Sequence, residues 1–325
     1  VINSKDPYQI DNFSEEIVID SNSLETIVLD DTELFKRYSK VIELLEKCKY
    51  EDAIKLIEEL KEKRPFKLDW LLNYISNKRN QQKTYSFSYF SPYFGCPRRF
   101  TFEKILELKT FEESTDAQTF GSYVHKLLEN MNKGKKINLE IEDEKTKTTI
   151  NNYYECEEYL KKRTKCSDFE LVGTEHKLTL DLKEFLGVEC KGVILGYVDK
   201  IVKCKDNHIV IDYKTSKSAD SNNMQLHLYR YLYTNKQNIP LENVSTYFYY
   251  LCLRDNPILG SENEYKWEVK GVMASKYEEK INLIKEGIKE IKFGPPEKLL
   301  EKNEKSCMFC PYKIMCDRLD WENSK

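Results

Sequence analysis

The stretch "HIVIDYK", residues 208–214, restricts the fold of this chain more than any other. Three β-branched apolar residues run into Asp212, and Lys214 follows two positions later. Such a short apolar run, preceded by the turn residues "KDN", reads as a strand built for burial that nevertheless ends in opposite charges. The preceding segment "KGVILGYVDKIVKC" reads as a second strand and places Asp199 after "GYV". A turn at Asp206-Asn207 makes the two a hairpin, with both carboxylates near one region of a sheet. Close carboxylates repel and resist ionising together, so the arrangement is costly without a cation between them. Lys214 lies two residues beyond Asp212, so on a strand both side chains project from the same face.

The trio admits two readings. One is a hydrolytic site, in which hard oxygen ligands favour magnesium or manganese and the lysine holds a water or stabilises charge on a phosphoryl oxygen. The other is a strand-end ion pair between Asp212 and Lys214. Two further features bear on the choice. In the helix "NNMQLHLYRYLYTN", Gln225 and Tyr229 are four apart and share a face where an amide and a phenol can meet a phosphate or the attacking water, whereas His227 points elsewhere. In "FGSYVHKLLENM", His125 stands at the edge of an apolar face formed by Val124, Leu127, Leu128 and Met131. It reads either as a packed histidine or as a metal ligand, and the Gly-Ser before it allows another element to come close.

Cysteine spacing is the second constraint. "CMFCPYKIMC" supplies Cys307, Cys310 and Cys316, a spacing suited to thiolate ligation of a soft metal centre, and Cys96, followed by proline as Cys310 is, is the candidate fourth ligand. Zinc and an iron-sulfur cluster compete for such a site, and a disulfide requires an oxidising compartment. Cys48, Cys156, Cys166, Cys190, Cys204 and Cys252 are read as small apolar packing residues.

The 325 residues, 40% hydrophobic and 33% charged, can bury one large domain with an appendage. Net charge is −3, so any nucleic-acid binding must be local rather than the product of a global basic field. No apolar run approaches the roughly 20 residues of a bilayer span, and "VINSKDPYQIDNF" lacks the regions of a signal peptide. The expectation is a soluble, cytoplasmic protein with no membrane partner. The first residue is Val, read as a boundary within a longer natural polypeptide.

Residues 1–31 are acidic and polar with short apolar patches, and 35–46 and 50–63 have helical periodicity with a stop at Pro65. The helix pair has no second copy, so a linker or docking arm is expected rather than a repeat array. A third helix fits "KLDWLLNYISNKRN", and a boundary is placed near residue 80. After it, 86–91 alternates, Cys96-Pro97 precedes a helix carrying Arg98, Arg99 and Lys104, and two helices precede the strands "ELVGTEHKLTLDL", "KGVILGYVDKIVKC", "HIVIDYKTS", "NVSTYFYYLCLR" and "EYKWEVK". A late helix, "SKYEEKINLIKEGIKEIKFG", leads to the cysteine-rich end.

Taken in order, "GSYVH", "GYVD", "IVIDYK" and "QLHLY", bracketed by "CP" and a terminal C-x2-C-x5-C, resemble the RecB-like branch of the PD-(D/E)XK nucleases with an iron-sulfur cluster. The ordered set spans residues 86–318. The resemblance implies an α/β fold of restriction-endonuclease type, a mixed central sheet flanked by helices, with an N-terminal helical appendage over 1–80 and the nuclease domain over 81–325. It implies that His125, Asp199, Asp212 and the Tyr213 carbonyl bind Mg2+ or Mn2+, and that Lys214 is the signature lysine. Gln225 and Tyr229 match that branch's additional motif near the DNA strand, and Glu175, in "VGTEHKL", matches an acidic strand residue ahead of the first aspartate. Cys96, Cys307, Cys310 and Cys316 would hold a [4Fe-4S] cluster. A basic and aromatic track of Arg98, Arg99, Lys104 and Tyr229 would guide a single DNA strand.

"YSFSYFSPYFGCPRRFTFEKILEL" followed by "FGSYVHKLLENM" is especially similar to the nuclease domain fused to UvrD-type helicases, which implies a helicase motor as partner and a role in DNA repair or recombination. The chain has no G-x-x-x-x-G-K-[ST] loop, so ATP hydrolysis is not expected of it. The same motifs occur in a stand-alone nuclease of CRISPR spacer acquisition. A nuclease-fold DNA-binding module without catalysis and a zinc-stapled scaffold are the readings outside the enzyme class; intact Asp199, Asp212 and Lys214 argue against the first, and the second leaves the carboxylate hairpin unexplained.

Overall fold

The computed structural model describes residues 68–108, 116–138, 140, 142–219, 223–254, 265–308, 310–313 and 315–316, with scattered positions between 40 and 55. The chain divides into two units, Val1–Phe66 and Lys67–Lys325. The segment 1–31, most of the helices expected over 35–46 and 50–63, and Cys48 lie outside the described residues.

The second unit is built on a six-stranded mixed sheet. Its strands are β1 (Thr84–Ser86), β2 (Glu170–Asp181), β3 (Val193–Cys204), β4 (Asn207–Lys214), β5 (Val244–Leu253) and β6 (Lys266–Gly271). Their order is β1-β3-β4-β5-β6, with β2 also pairing β3. β2 runs antiparallel along one edge of β3, while β1 and β4 share the other edge. The apolar run of β4 follows from this position, because β3 and β5 flank it and Ile209 through Tyr213 are all buried. The hairpin turn is the pair Lys205-Asp206, one residue earlier than expected, with Lys205 left-handed at φ 57°.

Helices cover both faces. α1 (Leu68–Gln81), α2 (Phe87–Gly95), α3 (Pro97–Phe100), α6 (Leu182–Leu186), α7 (Met224–Gln237) and α8 (Tyr277–Phe293) contribute to one cluster, which takes in Val210 of β4, Leu228 and Leu232 of α7, and Ile281, Ile284, Ile288 and Ile291 of α8. On the other face, α4 (Asp116–Asn132) and α5 (Glu144–Thr164) bury Val124, Leu127, Leu128, Ile150, Tyr153 and Leu160 against Ile209, Ile211 and Tyr213. Each fully buried aliphatic side chain contributes about 1.5–3 kcal/mol, so the helical stripes at three- and four-residue spacing fix which face of each helix turns to the sheet. α5 starts at Asp143, whose carboxylate accepts the Thr146 N–H at 2.8 Å, and ends at left-handed Lys165.

Three expectations differ from the structure. The alternation at 86–91 is not a strand: Ser86 accepts the Tyr89 N–H and caps α2, whose aromatic residues pack as a helix, and β1 stops at Ser86. The helix at 68–81, placed before a boundary near 80, buries Leu71 and Ile75 in the same cluster as α7 and α8. Cys166 and Cys204 are not separate packing residues, because the sheet brings their Cα atoms to 6.2 Å and they form a disulfide. Cys156 and Cys252 are buried and free as expected. No helix of the described residues is long and apolar enough to cross a membrane.

Candidate active site

Asp199 occupies a fork in the sheet. The β2–β3 ladder pairs Thr174 with Lys200 and His176 with Val198, and the β3–β4 ladder begins at Lys200 and Ile211, so both skip Asp199. Opposite it on β2 stands Glu175, in the left-handed region at φ 47°. The Asp199 carboxylate takes over the missing connection, since its Oδ2 accepts the Tyr213 backbone N–H at 2.6 Å. Its Oδ1 lies 2.9 Å from Nδ1 of His125 on α4. One donor atom from each of His125, Glu175 and Asp199 falls within 4.8 Å of the others.

α4 can come this close because Gly121 faces Thr215, just past the end of β4; a Cβ at Gly121 would lie 3.0 Å from Thr215 Oγ1. His125 remains about one-third exposed beside the buried Val124 and Leu128. The helix thus presents an apolar stripe to the sheet and a histidine to the fork.

Asp212 and Lys214 project from one face of β4 toward α7. Asp212 is 4% exposed, and its Oδ2 lies 2.6 Å from Lys214 Nζ. The ammonium also donates to Gln225 Oε1 at 2.8 Å and sits 4.8 Å from the centre of the Phe248 ring. Gln225 Nε2 in turn donates to the Tyr229 hydroxyl at 2.8 Å. The four-residue spacing on α7 therefore produces one chain from Asp212 to Tyr229. Tyr229 is buried against β3, where Gly196 leaves room for its ring; a Cβ there would stand 2.8 Å from Cε1. That burial makes Tyr229 unavailable as the base-stacking residue expected from sequence. His227, two residues away, is fully buried and turned from the site.

The charges of this group work against one another. Burial and the Asp199 charge push the Asp212 carboxyl up to about 6 despite Lys214. Burial and the same charge raise Glu175. Burial opposes a charged His125, yet its hydrogen bond to Asp199 and the charges of Asp199 and Asp212 outweigh this and raise its pKa. Acidic oxygens that hold one another's pKa up, beside an imidazole, form a hard donor set with uncompensated negative charge, which suits Mg2+ or Mn2+. The Tyr213 backbone joins the group through its N–H to Asp199.

Cys96, Cys307, Cys310 and Cys316 line one small cavity together with Arg98, Asn303 and Tyr312. Arg98 is buried, which corrects its expected place on a DNA-binding surface. Its guanidinium donates to the Leu300 carbonyl at 2.6 Å and to Cys316 Sγ at 3.2 Å. The Asn303 N–H donates to Cys96 Sγ at 3.4 Å. A buried cation and an N–H aimed at sulfur suit thiolates rather than thiols.

Arg99 and Lys104 remain toward solvent, both paired with Glu103, at 3.5 and 2.9 Å. They line an open groove with Phe87, Phe94 and Lys280 that extends to Asn223 and Met224, next to Gln225. The residues that sequence reasoning missed lie behind the sheet. Lys200, adjacent to Asp199, is buried and bonded to Tyr153 and Glu157 of α5. No signal in the strand reveals a partner 43 residues away.

No curated protein matches the chain. Among solved structures it is similar to one named "Putative exonuclease" from Eubacterium rectale, with 12% identity and a TM-score of 0.44, over 73% of this chain and 90% of that one. It is also similar to SSO0001, with 16% identity and a TM-score of 0.36, over 76% of this chain and 95% of that one. The pattern of the PD-(D/E)XK nuclease superfamily matches residues 84–317, a span that runs from β1 through the cysteine-rich end and includes the fork at Asp199 and the Asp212–Lys214 pair. With most of its length inside that match, this chain belongs to the PD-(D/E)XK nuclease superfamily.

Proposed function

We propose that this protein is a divalent-metal-dependent DNA nuclease that hydrolyses phosphodiester bonds, acting as an exonuclease on single strands or unwound ends. The observation that carries the reading is the convergence of His125, Glu175 and Asp199 within 4.8 Å, with an Asp212 bonded to Lys214 on the neighbouring strand. His125, Asp199 and Asp212, with the Tyr213 carbonyl and with Glu175 added by proximity, would hold the ion. When bound, it supplies Lewis-acid charge at the scissile phosphate and relieves the repulsion among these carboxylates.

The chain's own groups do the remaining work. Asp212 fixes the Lys214 ammonium at the rim of the site, where it can orient a water or meet charge building on a phosphoryl oxygen. Gln225 accepts a hydrogen bond from the Lys214 ammonium and donates one to the Tyr229 hydroxyl, so the amide keeps a single orientation. The groove bearing Arg99, Lys104 and Lys280 offers a DNA strand a route toward α7 through contacts with phosphates.

The four cysteines would carry a [4Fe-4S] cluster that staples the two ends of the nuclease domain. Their common cavity and the Arg98 contact to Cys316 support a thiolate-bound metal centre here. The RecB-like motifs support a helicase motor, in the same natural polypeptide or in a complex, as the partner in DNA repair or recombination. The residues ahead of α1 would then serve as linker or docking arm.

The test is cleavage of end-labelled single- and double-stranded DNA by anaerobically purified protein with Mg2+ or Mn2+, compared with Asp212→Ala and Lys214→Ala. Metal-dependent cleavage lost in both variants supports the site. Wild-type protein that retains its cluster and binds DNA yet cuts neither substrate sinks the catalytic reading. Colourless protein containing zinc and no iron sinks the cluster.

A further inference from the structure

Behind the fork, on the face of the sheet away from Lys214, runs a buried chain of polar side chains. Glu157 Oε2 lies 2.7 Å from Lys200 Nζ, which also donates to the Tyr153 hydroxyl at 2.8 Å. The Tyr153 hydroxyl donates to Asn132 Oδ1 at 3.0 Å, and Asn132 Nδ2 donates to the Tyr213 hydroxyl at 3.3 Å and to the Leu128 carbonyl at 2.8 Å. Lys200, Tyr153 and Tyr213 are each at most 5% exposed. The rings add to the connection: Tyr213 stands edge-on to Tyr153 at 5.7 Å and to His125 at 5.9 Å.

The chain joins four elements. Glu157 and Tyr153 belong to α5, Asn132 to α4, Lys200 to β3 and Tyr213 to β4. Three of these elements carry the groups of the fork, because His125 is on α4, Asp199 precedes Lys200 on β3, and Asp212 precedes Tyr213 on β4. The ladders that would fix the relative position of β2, β3 and β4 skip Asp199. A buried ion pair is a poor source of net stability, and its known use is to specify one arrangement.

We infer that Glu157, Lys200, Tyr153 and Asn132 are positioning residues that set the spacing of His125, Asp199 and the Tyr213 backbone for a divalent cation. The inference rests on the nuclease reading of that site. Tyr153 is the node: its hydroxyl accepts from Lys200 and donates to Asn132, so removing one oxygen separates the Lys200–Glu157 pair from α4 and β4. Groups behind a metal's ligands commonly change its affinity by about 10- to 100-fold.

The experiment is titration of free Mn2+ by electron paramagnetic resonance on the full chain, for wild type, Tyr153→Phe, Asn132→Ala and Asp199→Ala, with Tyr159→Phe as the control on the exposed side of α5. Hydrogen exchange of the metal-free proteins supplies a second readout. Tyr153→Phe keeps the ring and should bind Mn2+ about tenfold more weakly, with faster exchange over 121–132 and 209–214. The metal concentration for half-maximal cleavage should rise by the same factor while the rate at saturating metal stays within about threefold, a split that general destabilisation does not produce.

Wild type that binds and a Tyr153→Phe variant with equal affinity and equal exchange overturn the inference alone. Wild type that binds no Mn2+ overturns the nuclease reading and the inference with it.

Discussion

Asp199 accepts the backbone N–H of Tyr213 at 2.6 Å, so one carboxylate both closes a gap between two strands and faces the histidine of another element. Asp212, on the neighbouring strand, makes no such structural contribution and carries the burden of burial beside a like charge. The two aspartates of the hairpin are therefore unequal.

Their substitutions should have opposite effects on the metal-free protein. Asp199→Ala leaves the Tyr213 N–H without its acceptor and should cost about 1–3 kcal/mol. Asp212→Asn removes a buried carboxylate next to Asp199 and should leave stability unchanged or higher. Denaturant unfolding in chelator measures both. Adding Mn2+ should then raise the melting temperature of wild type and of neither variant.

Lys214 can be separated from metal binding. Lys214→Met should retain Mn2+ affinity within a fewfold while cleavage falls by about 10²- to 10³-fold, as expected for loss of a preorganised cation. Gln225→Ala should lose less, because Lys214 keeps its contact with Asp212. Parallel loss of metal affinity and rate in Lys214→Met would place the lysine among the groups that assemble the metal site.

The two neighbouring arginines should divide by role. Arg98→Ala removes buried bonds to Leu300 and Cys316 and should lower stability by about 1–3 kcal/mol and deplete iron from the purified protein. Arg99→Ala should keep fold and iron content, weaken binding to single-stranded DNA, and lower the slope of log affinity against log salt by about 0.7. Iron assay, thermal melting and salt-dependent binding distinguish the two.

His227 gives a pH dependence that is independent of the metal site. Burial, then Arg230 and Lys280, lower its pKa to about 4, with Glu279 opposing, and neither ring nitrogen has a hydrogen-bond partner. Between about pH 4 and 6.5 the unfolded chain binds the proton and the folded chain does not. Stability from this residue is thus complete above about pH 6.5 and falls as pH drops to about 4, by about 3 kcal/mol. His227→Leu should flatten that part of the difference between pH 7 and pH 4.5 in denaturant unfolding; an identical slope in the variant would assign the acid sensitivity elsewhere.

Local chemistry made much of this legible. Alternation and apolar runs placed β2 through β6, three- and four-residue spacing placed α4, α5, α7 and α8, and the spacing of two put Asp212 and Lys214 on one face of β4, because strand and helix periods act within a few residues. The spacing of four likewise put Gln225 and Tyr229 on one face of α7. What the sequence could not carry is pairing over distance. Arg98 and Tyr229 have the composition of surface DNA contacts, but the cysteine-rich end covers the first and the close approach of α7 to Gly196 buries the second.

The sequence by itself determined β2 through β6, the helices α4, α5, α7 and α8, and the residue types of the fork. Only the tertiary structure decided that Glu175 stands beside His125 and Asp199, that Cys166 bonds Cys204, and that Lys200 lies among Tyr153, Glu157 and the far side of the sheet. These contacts join segments tens of residues apart, and burial of two separate apolar faces against one sheet, rather than any local preference, brings them together.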